Sequence, residues 1–435
     1  MAQYVIIDSI HIQGNKKTKP FIIERELPFK SGDTLWLPYL NKTLEKASYN
    51  ILKTSLFNFA IVDTIHSNGT STDILIHVVE RWYLWPIPVF EQASRNINTW
   101  FYENDYDKIN YGFFLAQANF RGRDELLRAI VRVGFREQYG FAYTIPHLFR
   151  SNTLGLETKA LYYRQKQVAY QTIDNKPCYV YRKNYLYTNS DYSITFTYRP
   201  GLYVWHQVEF AYSTHLIHDS LFKLNPSFIY KNYHSLEYAS ISYLFKWDKT
   251  NSISYPTKGF LLEASVMDEG LFSTKMQIPT MGVKSEYFYS PFRKIYMAHA
   301  INYNYSFFDE HGYIFSKAFG YLVTPRGMEL YLVDGNGYFL STNSVRWELV
   351  PPKVKNIYKL KNERFAKIHY AFYLSLNADA GYVFNNFDEK LSNQWLYGYG
   401  IGLDFVTYYD IALSVDFSIN KFAQKGIFFH FSKFI

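Results

Sequence analysis

The chain has 435 residues, with 46 Lys and Arg against 38 Asp and Glu, a formal net charge of +8, and one cysteine, Cys178. Aromatic residues reach 20%, with 42 Tyr and 37 Phe among them, which excludes a disordered chain; a lone cysteine excludes a disulfide scaffold. No run approaches the roughly 18 apolar residues of a membrane-spanning helix, so a soluble β-rich protein or a transmembrane β-barrel remains, and the excess of Tyr and Phe favours the barrel because aromatic girdles mark both of its interfaces.

The opening MAQYVIIDSI has no charged stretch followed by an apolar one. The expectation is therefore a mature chain without a signal peptide, or import by another route. VIIDSIHIQG alternates and ends at Gly14-Asn15, a strand followed by a turn. Lys16, Lys17 and Lys19 then read as a solvated strand–helix turn. PFIIERELPF offers a short helix from Pro20, a residue favoured in a first turn. Gly32-Asp33 breaks the chain, and LPYLNKTLEKASYNILKTSLF places Leu40, Leu44, Ala47, Ile51 and Leu52 at helical spacing. Strands FAIVDTIHS and ILIHVVERWY follow, joined by an Asn68-Gly69 turn. Residues 1–83 thus read as a small β-α-α-β-β domain with both helices on one face of a sheet.

From Trp85 the helical period disappears. In IALSVDFSIN, Ile411, Leu413, Val415, Phe417 and Ile419 share one face, opposite Ala412, Ser414, Asp416, Ser418 and Asn420. In YGYGIGLDF, Tyr397, Tyr399, Ile401, Leu403 and Phe405 oppose Gly398, Gly400, Gly402 and Asp404, and Val208, Phe210 and Tyr212 alternate with Glu209, Ala211 and Ser213. Such segments recur about every 20 residues across roughly 350, separated by alternately short and long polar connections, which suits about 16 tilted strands of a transmembrane barrel over 84–435. The closing IFFHFSKFI is an aromatic strand that would invite aggregation at a soluble sheet edge.

These residues carry a family likeness. The chain resembles the outer-membrane barrel-assembly superfamily, which includes the BamA- and TamA-like insertases and the two-partner-secretion exporters, and it looks like a short member with a single POTRA domain. In the first 83 residues the likeness rests on Gly14-Asn15, Ile23 to Leu27, Gly32-Asp33, Asn50-Ile51-Leu52 with Leu56-Phe57, and Val78 to Trp82. Asn119 to Arg123 resembles the family's early barrel turn; Asp248-Lys249-Thr250 with Tyr255 to Gly259 resembles its mid-barrel motif. Thr324-Pro325-Arg326-Gly327-Met328 stands where the family's Val-Arg-Gly-aromatic motif tips an extracellular loop that returns into the barrel. Only Arg326 and Gly327 are retained. Glu348 and Asp379 resemble the family's acidic residues on the next two strands, and the alternation of both strands puts them on the lumen side. The resemblance therefore implies an Arg326 guanidinium held by Glu348 and Asp379 through charge-assisted hydrogen bonds.

The resemblance also implies a lateral seam between the first strand, at Trp85, Pro86 and Ile87, and the last, at Phe429, Phe431 and Phe434, with Ile435 where the family usually ends in an aromatic. The apolar residues Ile427, Phe429 and Phe431, with Lys433, face outward on that last strand. A protein insertase or translocase of the outer membrane is the expected function, with the first domain in the periplasm. Its partners would be nascent outer-membrane or secreted clients, membrane lipid, and accessory periplasmic or lipoprotein subunits. A two-partner-secretion exporter working through the lumen, or a porin-like channel, is the alternative.

No H-E-x-x-H, G-x-S-x-G or P-loop pattern occurs, so no enzyme activity and no cofactor or metal is expected. The basic excess is not clustered as nucleic-acid binding would require. His215 and His218 read as a solvated pair in a loop beside Asp219, Asp334 to Gly337 as a turn, and Cys178 as inert. The glycine line 398, 400, 402 reads either as room for the returning loop or as relief of crowding where a barrel bends.

Overall fold

The structure, a computed structural model, describes residues 4–65, 70–92, 109–134, 136–149, 153–230, 232–271, 273, 275–309, 312–356, 367–387, 390–407 and 411–432. The expected turn at Asn68-Gly69 and the last residues Lys433, Phe434 and Ile435 lie outside the described residues.

The N-terminal unit contains strand β1 (Tyr4–Gln13), helix α1 (Pro20–Glu24), strand β2 (Thr34–Trp36), helix α2 (Leu40–Lys53) and strands β3 (Phe57–Ile65) and β4 (Ser71–Glu80). Its sheet runs β2-β1-β4-β3, with β1 parallel to β4. The sequence reading lacked β2. Three residues are too short for an alternation signal, and Gly32, at φ +88, turns the chain onto the edge of β1 instead of ending the order there. Helix α2 turns Leu44, Ala47 and Ile51 inward, where they meet Ile7, Ile22, Ile23, Phe57, Ile74 and Ile76 in one core. Each buried Leu, Ile or Phe side chain among them contributes about 1.5–3 kcal/mol.

The barrel begins at β5 (Leu84–Gln92), followed by β6 (Ile109–Phe120), β7 (Glu125–Gly134), β8 (Arg136–Ile145) and β9 (Leu154–Gln165). A hairpin of β10 (Gln167–Ile173) and β11 (Lys176–Tyr181), which contains Cys178, leads to β12 (Tyr187–Tyr198) and β13 (Val204–Ile217). After the short helix α3 (Asp219–Leu224) come β14 (Ser235–Asp248), β15 (Gly259–Leu271), β16 (Ile278–Phe292) and β17 (Ile295–Ser306). A long connection carries the two short strands β18 (Lys317–Phe319) and β19 (Val333–Asp334). Strands β20 (Gly337–Asn356), β21 (Lys367–Phe384), β22 (Trp395–Thr407), β23 (Ala412–Asn420) and β24 (Lys425–Ser432) complete the sheet.

Without the two excursions these make one 16-stranded sheet, antiparallel throughout, in which neighbours in sequence are neighbours in space. Alternation sorts the side chains as the sequence pattern requires. On β22, Tyr397, Tyr399, Ile401 and Leu403 are exposed outward, while Asp404 is buried inside. The outward faces of β12, β13 and β16 repeat this with Ile194, Phe196, Phe210, Met281 and Val283. An apolar belt of that extent has no counterpart on a monomeric soluble protein and needs a lipid environment. No helix among the described residues is long and apolar enough to cross a membrane.

The N-terminal domain sits against one end of the barrel, called here the near end. Arg199, in the β12–β13 turn, grips Glu26 through both guanidinium nitrogens at 2.6 and 2.7 Å, and Lys53 reaches Asp248 at 2.7 Å. Lys16, Lys17 and Lys19 are exposed, as the sequence reading has them, but the turn that carries them also meets the barrel: the Lys19 amide donates to the Gly122 carbonyl and Asn119 donates to the buried Thr18. Gly122, at φ +74, approaches so closely that a Cβ there would lie 2.1 Å from the Lys17 carbonyl oxygen. Beside these contacts Asp124 loses hydration and faces Glu26, and the two effects push its carboxyl up to about 8 despite the nearby Arg199 and Arg25.

Candidate functional site

The connection between β17 and β20 does not stand away from the barrel. It folds into the lumen from the far end and buries Phe319, Met328 and Val333 against Leu340, Val383 and Leu396 of the wall. Met328 thus fills an apolar slot with an unbranched side chain, which suits an irregular gap. At the tip, Gly327 takes φ +77, and its carbonyl accepts from Asn420 Nδ2 at 2.8 Å.

Arg326 is held twice by one carboxylate. Its backbone N–H donates to Asp379 Oδ2 at 3.0 Å and its Nη1 to Asp379 Oδ1 at 2.8 Å. A second acid, Asp416 on β23, lies 3.4 Å from Nε. Both carboxylates are almost fully buried, at 2% and 3% side-chain exposure, so each requires the guanidinium as partner.

The second acid is Asp416 and not Glu348, and register gives the reason. Asp379 pairs with Thr342 across the β20–β21 ladder, whereas Glu348 pairs with Tyr373. Six residues separate Thr342 from Glu348 on β20, a displacement of about 20 Å along the strand. Both acids share the lumen face, as alternation requires, but Glu348 lies near the other end and accepts from Tyr296 Oη at 3.1 Å. Alternation specifies a face; it carries no information about depth.

The glycine line divides in the same way. A Cβ on Gly398 would lie 1.8 Å from the Arg326 carbonyl oxygen, so this position makes room for the inserted loop. At Gly402 the same atom would meet Asp416 Oδ1 at 1.9 Å, and at Gly400 the β23 backbone, which makes these positions room for the acid and for the neighbouring strand. Sequence reasoning placed Asp416 and Asn420 on a polar face but did not connect them to Arg326. It also passed over His430 of β24, whose Nε2 lies 3.3 Å from Asp416 Oδ2 and 3.7 Å from Glu329 Oε1. The clamp therefore touches the last strand.

Strands β5 and β24 are the two ends of the sheet, and among the described residues no ladder joins them. Trp85 and Ile87 turn to the half-buried side of β5, while Pro86, Pro88 and Phe90 turn outward. On β24, Ile427, Phe429 and Phe431 are exposed and Phe428 is buried. Between the near-end domain and the clamp lies a cavity of about 890 Å³ lined by charges of both signs, including Lys53, Glu263, Lys284, Glu286, Arg326 and Arg346.

His215 departs from the sequence reading. It is the last turn of neither a loop nor a solvated pair but a buried β13 residue, stacked between Tyr187 and Tyr238 and hydrogen-bonded to both hydroxyls at 2.7 and 3.2 Å. His218 instead caps α3, its Nδ1 accepting from the Ser220 amide.

The chain thus joins a small α/β domain to a 16-stranded antiparallel barrel with an inward-folded, arginine-tipped loop. Residues 5–81 match the POTRA family model, described as "Surface antigen variable number repeat". The whole chain has the fold of BamA from Haemophilus ducreyi lacking POTRA domains 1–3, with 14% identity and a TM-score of 0.53 over 98% of this chain and 84% of that one. It is equally similar in fold to CdiB from Escherichia coli, at 11% identity and a TM-score of 0.56 over 98% of this chain and 75% of that one. A comparison with curated sequences gives no match. Residues 5–81 are thus a POTRA domain, joined to a 16-stranded barrel of the fold shared by BamA and CdiB.

Proposed function

We propose that this protein inserts or exports client proteins at the bacterial outer membrane, with its POTRA domain in the periplasm and β5 and β24 forming a lateral seam. The observation that carries the reading is the two sheet ends, which no ladder joins among the described residues, together with the chemistry of β5. Pro86 and Pro88 have the same parity, so the two N–H donors they lack belong to one edge of the strand. The β5–β6 ladder runs from Leu84 to Gln92, and proline in a sheet turns its missing donor away from the ladder. The seam edge is therefore poor in donors. Unmet backbone groups in lipid cost several kcal/mol each, so a seam short of donors opens more readily and leaves carbonyls and amides of β24 to template an incoming strand.

Export through the lumen is the second reading, favoured by the charged cavity between the POTRA domain and the clamp. Seam locking separates the two. A disulfide across β5 and β24, in a Cys178-free background, stops an insertase that uses the seam and leaves a through-lumen exporter active. Client assembly at an undiminished rate in the fully oxidised, folded protein would refute the seam reading.

A further inference from the structure

A second cavity, of about 460 Å³, lies at the far end of the barrel, away from both the clamp and the POTRA domain. It is formed where β8, β9, β12, β13, β14 and β15 end beneath the inward-folded connection. Its walls are aromatic, with Tyr163, Tyr187 and Tyr238 from the strands and Tyr313, Phe315 and Tyr321 from the connection.

Two cations line it, Arg136 and Lys317, and neither makes an ion pair within 4 Å of a carboxylate among the described residues. Arg136 lies over the Tyr163 ring at 4.4 Å, and its Nε is buried with no hydrogen-bond partner. Lys317 lies over the Tyr321 ring at 5.2 Å. Its cross-strand neighbour Asp334 accepts instead from the Tyr321 hydroxyl at 2.9 Å. Asp334 still attracts the Lys317 ammonium across the ladder, while Arg136 repels it more weakly. The one carboxylate in the wall, Glu269, accepts from Tyr238 Oη at 3.2 Å, and the Tyr238 hydroxyl also meets the His215 ring.

Lys317 is exposed toward the cavity and Arg136 is half-buried with an unsatisfied Nε, so the two together offer an anion a charge-assisted site that no direct ion pair already fills. The surroundings describe that anion. Phenol rings supply flat apolar faces with polar tips, and Gln165 adds an amide to the wall. The volume falls in the range of small-ligand sites, about 300–1,000 Å³. We propose that this cavity binds an anionic saccharide, one sugar or two with a carboxylate or phosphate between Arg136 and Lys317. Such a group comes either from a free glycan or from the saccharide of an outer-leaflet lipid.

Calorimetric titration of the full-length protein in detergent tests this, with glucuronate, glucose 1-phosphate, neutral glucose and inorganic phosphate as probes. Both anionic sugars should bind about tenfold or more tightly than glucose, the difference expected of one charge-assisted contact. Arg136→Gln and Lys317→Gln should each weaken binding about tenfold, while Lys317→Arg should retain it. If either Gln variant fails to fold, Lys317→Arg and glucose still read the charge and the ring. Nanodiscs carrying lipopolysaccharide, against discs of zwitterionic phospholipid, separate the two sources: Lys317-dependent binding to the former alone assigns a lipid-borne saccharide. Glucose binding as well as glucuronate, phosphate binding as well as glucose 1-phosphate, or no binding to any probe or disc would overturn the proposal.

Discussion

Removing the Arg326 guanidinium leaves Asp379 and Asp416 facing each other's side of the lumen with no cation between them. Both are nearly inaccessible, and Arg326 itself retains only 26% side-chain exposure. Breaking a buried pair by deleting one partner costs about 3–5 kcal/mol, and Arg326→Ala should fall in that range. Asp379→Asn keeps an acceptor for the Arg326 amide but loses the charge, and should cost about 1.5–3 kcal/mol. Glu348→Gln keeps an acceptor for Tyr296 and should cost about 1 kcal/mol or less. The decisive quantity is the coupling in double-mutant cycles, measured by urea unfolding of the lipid-folded barrel followed by tryptophan fluorescence. Contacting pairs couple by about 0.5–3 kcal/mol and distant ones by less than about 0.5. Arg326 with Asp379 should give the former and Arg326 with Glu348 the latter. A larger coupling to Glu348 than to Asp379 would refute the register argument.

Residues 1–83 expressed alone should fold, because the core of Ile7, Ile22, Ile51 and Phe57 lies within them; helical and strand signals in circular dichroism, with dispersed amide resonances, check this, and a random-coil spectrum would refute it. In that fragment Leu44→Ala should cost about 2–5 kcal/mol in urea unfolding. The docked POTRA domain should loosen as pH rises: Asp124 is pushed up to about 8 by desolvation and by Glu26, so between its ordinary value and 8 the docked state holds the extra proton, and stability falls across that interval. Crosslinking between the POTRA domain and the β12–β13 turn should therefore be faster at pH 6 than at pH 9. Asp124→Asn should remove most of that difference, and an unchanged pH dependence in the variant would assign it elsewhere.

Period-2 alternation is imposed by the strand backbone and survives any environment, so the barrel was readable wherever one face was apolar throughout, as on β22 and β23. The lumen side of Glu348, Asp379 and Asp416 was readable for the same reason. Their depths were not, because depth depends on register between strands whose turns lie far apart in sequence, and the Glu348 rung falls well below the Asp379 rung. β2 escaped because its pairing with β1 is tertiary and three residues carry no period. His215 was mistaken for a loop residue because His, Leu and Ile close β13 without a clear polar alternation; its two tyrosine partners stand on β12 and β14, invisible to a reading along the chain. Gly398 shows the opposite case. A side chain was missing in a regular strand, and an approaching backbone oxygen explains it.

The two prolines of β5 make the seam testable without a covalent lock. Strand β5 runs away from the POTRA end and β24 runs back toward it, so the two edges are oriented to pair antiparallel. Pro86→Val and Pro88→Val add one donor each to the edge that faces β24, and leave the β5–β6 ladder as it is. A β-branched residue suits the outward face that both prolines occupy. Each new bond contributes about 0.5–1.5 kcal/mol net where water competes, and more where lipid excludes it. The double variant should unfold at higher urea concentration and should assemble clients more slowly, by about tenfold for each 1.4 kcal/mol added to the closed seam. A disulfide between β5 and β24 is the limit of the same series; it requires a Cα separation of about 4.4–6.8 Å, so positions across Trp85–Gln92 and Ile427–Ser432 must be scanned. If the proline variants stabilise the barrel while client assembly keeps its rate, and the oxidised lock does too, opening between β5 and β24 is not a step of the reaction. The charged lumen between the POTRA domain and Arg326 then becomes the path that a client must take.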